Sequence, residues 1–267
     1  MEFAGWSVPQ AQVYFLLVMR ALSLFMTMPL FSTRAVPTLS RLGLALFVAL
    51  VLLPLQTRHV PELPTELLAY LGLVAREVLV GVVMGFGTTL VFASIQIAGQ
   101  IIGLQLGLNI ATVLDPLNAG QQVSFMDQFY SVLAALIFLA IDGHHGLLLA
   151  LQHSFELLPP GTFGPQGGTL EALVALTMEL FRVALRLALP VLGTLMLVDL
   201  AMALLSRVVP QMNVFFVGLP FKLGLGLWIA ALSLPLVLGS AAQLFGDLPV
   251  ALARLLLPSV AAPLPGA

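Results

Sequence analysis

The chain has 267 residues, of which 60% are hydrophobic and only 8% charged, and its formal net charge is −2. A soluble globular domain carries about 25% charged residues, so this composition excludes that class and indicates a membrane protein. The ten basic residues are scattered singly, which argues against a nucleic acid partner, and the absence of cysteine excludes disulfides and thiolate metal sites.

Six long apolar stretches follow one another along the chain, separated by polar or proline-rich breaks. They cover about 10–31, 42–55, 67–92, 125–141, 170–205 and 214–245. A helix needs about 20 residues to cross a bilayer, so the second and fourth stretches are short for a span. The pattern predicts an all-α membrane protein of helical hairpins with broken helices, residues 1–257, followed by a flexible tail, residues 258–267.

Glycine ladders mark the third stretch and the residues that follow it. A glycine recurs every fourth residue within two groups: Gly81 and Gly85, then Gly99, Gly103 and Gly107. This spacing leaves one helix face without side chains, so that another backbone can approach closely. We interpret the ladders as helix-packing surfaces, with Glu77 at the end of the first.

Residues 108–122 form an apolar, polar-tipped segment that is interrupted at Asp115-Pro116. Pro116 disfavours a helical conformation at Asp115, and residues 118–120 supply turn chemistry. Non-helical backbone at membrane depth survives only inside protein or beside water. The segment therefore either enters and obstructs a pore or is an ordinary loop between helices, and its spacing does not decide between them.

A polar segment, Asp142-Gly143-His144-His145, invites interpretation as a metal site together with His153. Adjacent histidines diverge by about 100° on a helix, and His153 lies two turns further on, so this geometry argues against a metal. A polar turn that opens a re-entrant hairpin over residues 146–158 is favoured. The sequence also lacks a nucleophile elbow, a Walker loop and a dinucleotide fingerprint, so we expect neither an enzyme nor a cofactor.

Several charged residues stand inside apolar stretches, where a lipid-facing charge costs at least about 2.5 kcal/mol. They are Arg20, Arg76, Glu77, Glu179, Arg182, Arg186 and Asp199. Glu179, Arg182 and Arg186 fall within about 60° of one another on a helix, which predicts an ion-paired stripe. These charges either line a conducting pathway or form buried or interfacial pairs that set packing register, and we favour the second. Asp199 projects from the opposite face, with no partner near in sequence.

Residues 208–222 are the least ordinary part of the chain, because they place polar and helix-breaking residues where a membrane helix would carry Leu and Val. With this segment the chain resembles the FliR/SctT family, the export-gate subunits of flagellar and virulence type III secretion systems. The resemblance extends over Arg20, Pro29, Pro37, Arg41, Glu77 with Gly81, residues 98–107, Asp115-Pro116 and residues 199–222. Its most specific part is Pro210, Gln211, Met212, Asn213, Val214, Phe215, Gly218, Pro220 and Lys222.

The resemblance implies that one copy joins several copies of the smaller P-type and Q-type membrane subunits in a spiral around an export channel. Residues 1–168 would then look like a P-type subunit and residues 169–257 like a Q-type hairpin. The B-type switch subunit, the A-type export subunit, unfolded secretion substrates and membrane lipid are further expected partners. The location implied is the bacterial inner membrane at the flagellar basal body.

The resemblance also assigns the segment of residues 106–122, called here the plug loop, to closure of that channel. The residues expected in the plug are Leu108, Asn109, Ile110, Ala111, Thr112, Val113, Leu114, Asp115 and Pro116, with Leu108, Ile110, Val113 and Leu114 making the seal. The chemistry of residues 115–122 looks closer to the flagellar than to the virulence branch.

Two functions of other classes are less favoured by the sequence. A stand-alone secondary transporter would show two halves of matching hydropathy, which the chain lacks. An intramembrane hydrolase using His144, His145 or Asp199 is the least favoured hypothesis.

At residues 208–222 we expect a broken-helix turn at the tip of the C-terminal hairpin. Pro210 and Pro220 would bend the backbone, while Gln211 and Asn213 would satisfy the freed peptide groups. Lys222 would point toward water or a partner.

Overall fold

Helices make up nearly all of the structure, a computed structural model that describes residues 2–3, 6–32, 36–56, 63–64, 66–108, 125–161, 167–211 and 213–257. A short antiparallel pair of strands, β1 (Glu2–Phe3) and β2 (Trp6–Ser7), precedes the first helix. The helices are α1 (Val8–Thr27), α2 (Pro29–Ser32), α3 (Thr38–Gln56), α4 (Leu67–Gln105), α5 (Phe125–Ala140), α6 (Gly143–Leu157), α7 (Gly167–Val208), α8 (Val214–Gly246) and α9 (Leu248–Leu256). The prediction of a helical membrane-type protein is confirmed.

Among the described residues, five helices are long and apolar enough to cross a membrane: α1, α3, α4, α7 and α8. A sixth span results if α5 and α6, which are bent by 70° at their junction, count as one. The expectation that the second stretch is too short is wrong, because α3 extends to both sides of it and reaches 19 residues. The fourth stretch is short as expected, because its helix, α5, ends at Ala140 after 16 residues. It counts as a span only together with α6. The tail, residues 258–267, lies outside the described residues.

The chain divides into two compact units, of which the first comprises residues 1–90, 142–177 and 246–267. In this unit α1 packs on α3, and α9 packs on α6. The first glycine ladder fits α4 against α1: a Cβ on Gly81 would overlap the Ser23 hydroxyl and the Arg20 carbonyl, and one on Gly85 would overlap the Thr27 hydroxyl. The packing interpretation of these two glycines is therefore supported by the contacts themselves.

The second unit comprises residues 91–141 and 178–245. Its core contains an aromatic trio, Phe92, Phe138 and Phe245, whose ring centroids lie 4.7–5.4 Å apart. A Cβ on Gly99 would lie 2.8 Å from the Met126 carbonyl oxygen and 2.8 Å from the Tyr130 Cβ, so this one glycine of the second ladder lets α4 approach α5 closely. The C-terminal helical hairpin is formed by α7 and α8.

Candidate functional site

The plug loop itself falls almost entirely outside the described residues, since these break off after Leu108 and resume at Phe125. The expectations for Asn109, Ile110, Ala111, Thr112, Val113, Leu114, Asp115 and Pro116 therefore stay predictions. The root of the loop, residues 105–108, is described in full.

The root begins with a Schellman motif that ends α4. The amide of Leu108 donates to the Gly103 carbonyl at 3.1 Å, and the amide of Gly107 donates to the Leu104 carbonyl at 3.0 Å. Gly107 has a φ of 78°, a left-handed conformation that a glycine adopts without a Cβ clash. The interpretation of Gly107 as a packing glycine is wrong, because it lies beyond the last helical residue and serves the turn.

Leu106 anchors this turn through an apolar contact. Its side chain is fully buried. It lies so close to Gly226 of α8 that a Cβ at that position would overlap the Leu106 methyl group, and Leu195 of α7 would be 3.1 Å away. The first residue after α4 is thus held against the C-terminal hairpin, whereas Leu108 is already 36% exposed.

A polar cluster, defined here as Gln105, Asp199 and Lys222, lies beside this contact. The Gln105 amide nitrogen donates to Asp199 Oδ2 at 3.0 Å, and Lys222 Nζ lies 2.7 Å from Asp199 Oδ1. One carboxylate therefore joins the end of α4 to both arms of the hairpin. Lys222, expected to point toward water or a partner, has 21% of its side chain exposed and is paired with Asp199 of the same chain. Sequence reasoning missed this pair because its members stand on different helices.

The hairpin tip is shorter than the sequence predicts. Only residues 209–213 separate the two helices, with a turn at Pro210 and Gln211. The carbonyl of Asn213 accepts from the Phe216 and Val217 amides at 3.1 and 3.4 Å, so its backbone starts α8. Pro220 lies inside α8, which continues past it, and is not part of the turn.

Other members of the predicted tip motif are placed in part. A Cβ on Gly218 would lie 3.1 Å from the Met202 Cε, so this glycine permits close approach of α7 and α8. Met212 lies outside the described residues, as do the side chains of Val214 and Phe215.

A second constellation, in the first unit, is built around Arg20. This side chain is fully buried, and its Nε lies 2.6 Å from Glu77 Oε2, which is equally buried. Nη1 donates to the Ser154 carbonyl and hydroxyl at 2.9 and 3.1 Å, and Nη2 donates to the Leu158 carbonyl at 3.0 Å. The guanidinium also lies 4.0 Å from the centroid of the Phe155 ring.

Glu77 completes this constellation by accepting the Gly161 amide on Oε1 at 2.8 Å. Both charges are paired, and four of the five Arg20 N–H groups and both Glu77 carboxylate oxygens have hydrogen-bond partners. Such additional hydrogen bonds are what makes a buried ion pair tolerable. The pair joins α1, α4 and the segment from α6 to Gly161.

The remaining charges of the sequence-based set lie at the surface. Arg76 donates to the Gly161 carbonyl at 3.1 Å. Glu179 and Arg182 form the expected pair along α7, with 56% and 73% of their side chains exposed. Arg186 is exposed on the same helix. The ion-paired stripe is therefore present between its first two members.

The histidine segment differs from expectation. The rings of His144 and His145 lie with centroids 4.2 Å apart, although a helix separates adjacent Cβ directions by about 100°. At the start of α6, one ligand atom from each of Asp142, His144 and His145 falls within 4.8 Å of the others. His153 does not join this group, because it pairs with Glu156 at 2.9 Å. Three donors, two of them on exposed residues, are fewer than the four of a structural zinc site.

Comparison with known proteins covers nearly the whole chain. The family described as bacterial export proteins, family 1, matches residues 11–248. The flagellar biosynthetic protein FliR of Pectobacterium carotovorum subsp. carotovorum is 34% identical over 250 residues, covering 92% of this chain and 94% of that protein. FliR of Escherichia coli (strain K12) is 34% identical over 88% of this chain and 89% of its own length. FliR of Bacillus subtilis (strain 168) is 35% identical over 79% and 81%.

Proposed function

Because this chain belongs to the bacterial export proteins, family 1, we propose that it forms and closes the channel through which unfolded flagellar proteins leave the cell. It is a membrane component of the flagellar type III export apparatus, located in the inner membrane at the basal body. Closure is assigned to the plug loop, residues 106–122. The observation that supports this assignment is the fixed root: the Schellman turn, buried Leu106 and the polar cluster hold the start of the loop in one place.

The proposed partners are several copies each of the P-type and Q-type subunits, with the B-type switch and A-type export subunits beside them. Residues 1–168 take the P-type role and residues 169–257 the Q-type role. The hairpin of α7 and α8 supports the second assignment, since a helical hairpin is what the Q-type likeness implies. Subunits of this kind act as structural components of the channel, and we assign the chain no catalysis, cofactor or metal.

Two other functions have less support from the observations. An export-gate subunit of a virulence injectisome would have the same architecture, but the relatives named above are flagellar proteins. A stand-alone secondary transporter needs charged groups that substrate can reach near the bilayer midplane. Arg20 and Glu77 are fully buried and satisfy each other, so they are unsuited to that use.

The plug assignment is tested by replacing residues 110–116 with seven Gly and Ser residues in cells whose own subunit is replaced by this chain. The replacement keeps the length of the loop and removes Ile110, Val113 and Leu114, so we expect the leak of potassium through the assembled gate to rise. Deleting residues 260–266 of the tail is the matched control and should leave the leak unchanged. A loop replacement that assembles and does not leak would exclude the plug.

A further inference from the structure

We propose that a groove between α6 and α9 binds one phosphatidylethanolamine molecule, with an acyl chain inside the groove and the headgroup at its rim. The groove has a volume of about 400 Å³, and Met84 of α4 also contributes to its wall. All of its lining residues belong to the first compact unit. The lipid site is separate from the proposed closing function, and it stands or falls independently of it.

The buried part of the groove lining has no polar group to offer a ligand. Four buried apolar side chains line it: Met84, Ala150, Leu252 and Leu256. The hydroxyl of buried Ser154 is already used, because it donates to the Leu151 carbonyl at 2.7 Å and accepts from Arg20 Nη1 at 3.1 Å. A polar group of a ligand would lose its water here without gaining a partner. The buried part of the occupant is therefore hydrocarbon.

The α6 side of the groove has a carboxylate at its rim. His153 and Glu156 line the groove with 62% and 53% of their side chains exposed, and His153 Nδ1 lies 2.9 Å from Glu156 Oε2. The second contact of this carboxylate, from the Gln152 amide, is long at 3.4 Å. An ionised carboxylate has about four acceptor positions, so some stay open to solvent. An ammonium group at the rim would form a charge-assisted hydrogen bond with it.

The α9 side of the groove has a guanidinium. Arg254 follows Val250, a lining residue, by four positions, so both lie on one face of α9. Arg254 is exposed and has no hydrogen-bond or ion-pair partner within the part of the chain that the structure describes. A guanidinium is suited to bidentate binding of phosphate oxygens. The groove is thus flanked by one anionic and one cationic side chain.

These two charges fit a zwitterionic headgroup that has N–H donors. The phosphate of phosphatidylethanolamine would bind Arg254, and its primary ammonium would donate to Glu156. Phosphatidylglycerol has no cation for the carboxylate, and the quaternary ammonium of phosphatidylcholine has no N–H to donate. Phosphatidylethanolamine is therefore favoured among these phospholipids.

The size of the groove favours a lipid over a helix of a partner protein. A helix 10 Å wide fills about 420 Å³ for each turn of 5.4 Å, so the groove would hold about one turn. Binding of a helix in a groove uses anchor residues spread over about two turns. A volume of about 400 Å³ instead lies within the range of small-molecule sites, about 300–1,000 Å³.

The test is photocrosslinking of the gate, purified as this chain with its P-type and Q-type subunits, in nanodiscs of equal parts phosphatidylethanolamine, phosphatidylglycerol and phosphatidylcholine. Three lipid probes share one diazirine-bearing acyl chain and differ only in headgroup, and each is added separately at the same trace fraction. Mass spectrometry then locates the labelled peptides. The ethanolamine probe should label α6 and α9 about two- to fivefold more than the other two, as exposed charge pairs allow.

Three substitutions separate the roles of the groove and of its two charges. Ala253→Trp should remove most of the labelling, because Ala253 lines the groove and the indole would fill it. Glu156→Gln should lower labelling by the ethanolamine probe to the level of the other two. Arg254→Gln should lower labelling by all three probes, since each has a phosphate. Glu179→Gln, which changes a carboxylate of similar exposure on α7, is the matched control and should have no effect.

Several results would overturn the lipid site. Equal labelling by the three probes would refute the headgroup assignment, and labelling that persists in Ala253→Trp would place the lipid outside the groove. If Ala253→Trp fails to assemble, unchanged probe preference in both Glu156→Gln and Arg254→Gln refutes the site. Absence of label from α6 and α9 in the assembled gate would mean that protein covers the groove. Stronger labelling after removal of residues 258–267 would make that tail the occupant.

Discussion

At the scale of single residues, two of the ion pairs in the described part of the chain differ in what surrounds them. Arg20 and Glu77 are sealed inside the first unit, with hydrogen bonds to Ser154, Leu158 and Gly161. Asp199 and Lys222 are partly exposed in the second. Removal of one buried partner leaves an uncompensated charge, whereas water compensates the loss of an exposed one.

Glu77→Gln should therefore destabilise the chain by about 3–5 kcal/mol, because Arg20 stays buried without its counter-ion. Stability is measured on the chain co-purified with its P-type subunit, by titration with a denaturing detergent while tryptophan fluorescence is followed. The adjacent Arg76→Ala is the matched control. Arg76 is exposed, and its loss should change stability by no more than about 0.5 kcal/mol. Equal effects of the two substitutions would contradict the buried-pair account.

The charges that matter can be found from sequence, but their partners cannot. A charge in an apolar stretch predicts a protected environment, which Arg20 and Glu77 have. The same rule fails for Arg76, Glu179, Arg182 and Arg186, which are exposed. Arg20 meets Glu77 57 residues further on, and Gln105 meets Asp199 94 residues further on. Spacing rules within one helix reach three or four residues, so they identify Glu179 with Arg182 and miss the long-range pairs.

At the scale of helices, glycines spaced four residues apart in α4 and just beyond its end have two different structural roles. Gly81 and Gly85 let α1 approach, as the ladder predicts. Gly107 continues the interval of four and yet lies outside the helix, at a positive φ. A ladder by itself does not distinguish its last rung from the residue that ends the helix, whereas the loop bounds of 106–122 that the family resemblance implies agree with a helix that ends at Gln105.

Gly81→Ala should separate α1 from α4, since the new methyl group would overlap the Arg20 carbonyl, a backbone atom that cannot rotate away. We expect a loss of about 1–3 kcal/mol, the usual consequence of overpacking. Gly72→Ala on the same helix is the control, because nothing lies within 4 Å of a Cβ there. The control should be neutral or stabilising by up to about 1 kcal/mol. A Gly81→Ala chain as stable as the Gly72→Ala chain would rule out the close contact.

At the scale of the whole molecule, three of the described helices are longer than a bilayer requires. α4 has 39 residues, α7 has 42 and α8 has 33, which correspond to about 58, 63 and 50 Å against a hydrocarbon core of about 30 Å. Large apolar side chains are exposed along the hairpin, among them Phe216 at 73% and Trp228 at 62%. Apolar surface that lies outside lipid has to meet protein, which agrees with the proposed assembly.

Purification tests whether the exposed apolar surface of the chain needs a protein partner. Expressed alone and extracted in mild detergent, the chain should elute as aggregate, and co-expression with its P-type subunit should convert it to a single complex. An unrelated membrane protein expressed in place of the P-type subunit is the control and should not rescue it. A monodisperse chain on its own would favour the stand-alone transporter.

What could be predicted at this scale is the family and the hairpin of α7 and α8, both carried by the motif at residues 208–222. The compact units could not be predicted, because each gathers segments that are distant in the chain, such as residues 1–90 with 142–177 and 246–267. Their cohesion depends on side-chain fit between those segments, which hydropathy does not encode.

The buried arginine also has a consequence for biosynthesis. Its carbonyl acceptors at Ser154 and Leu158 are 134 and 138 residues further along the chain. At about 5–20 residues per second, the ribosome supplies them roughly 7–27 s after Arg20 itself. Glu77 is made earlier, so the counter-ion reaches the nascent helix before the carbonyls do. The order of synthesis therefore sets the order in which Arg20 can be paired. Its counter-ion, Glu77, is available first, and the carbonyl groups that accept its remaining hydrogen bonds are available last.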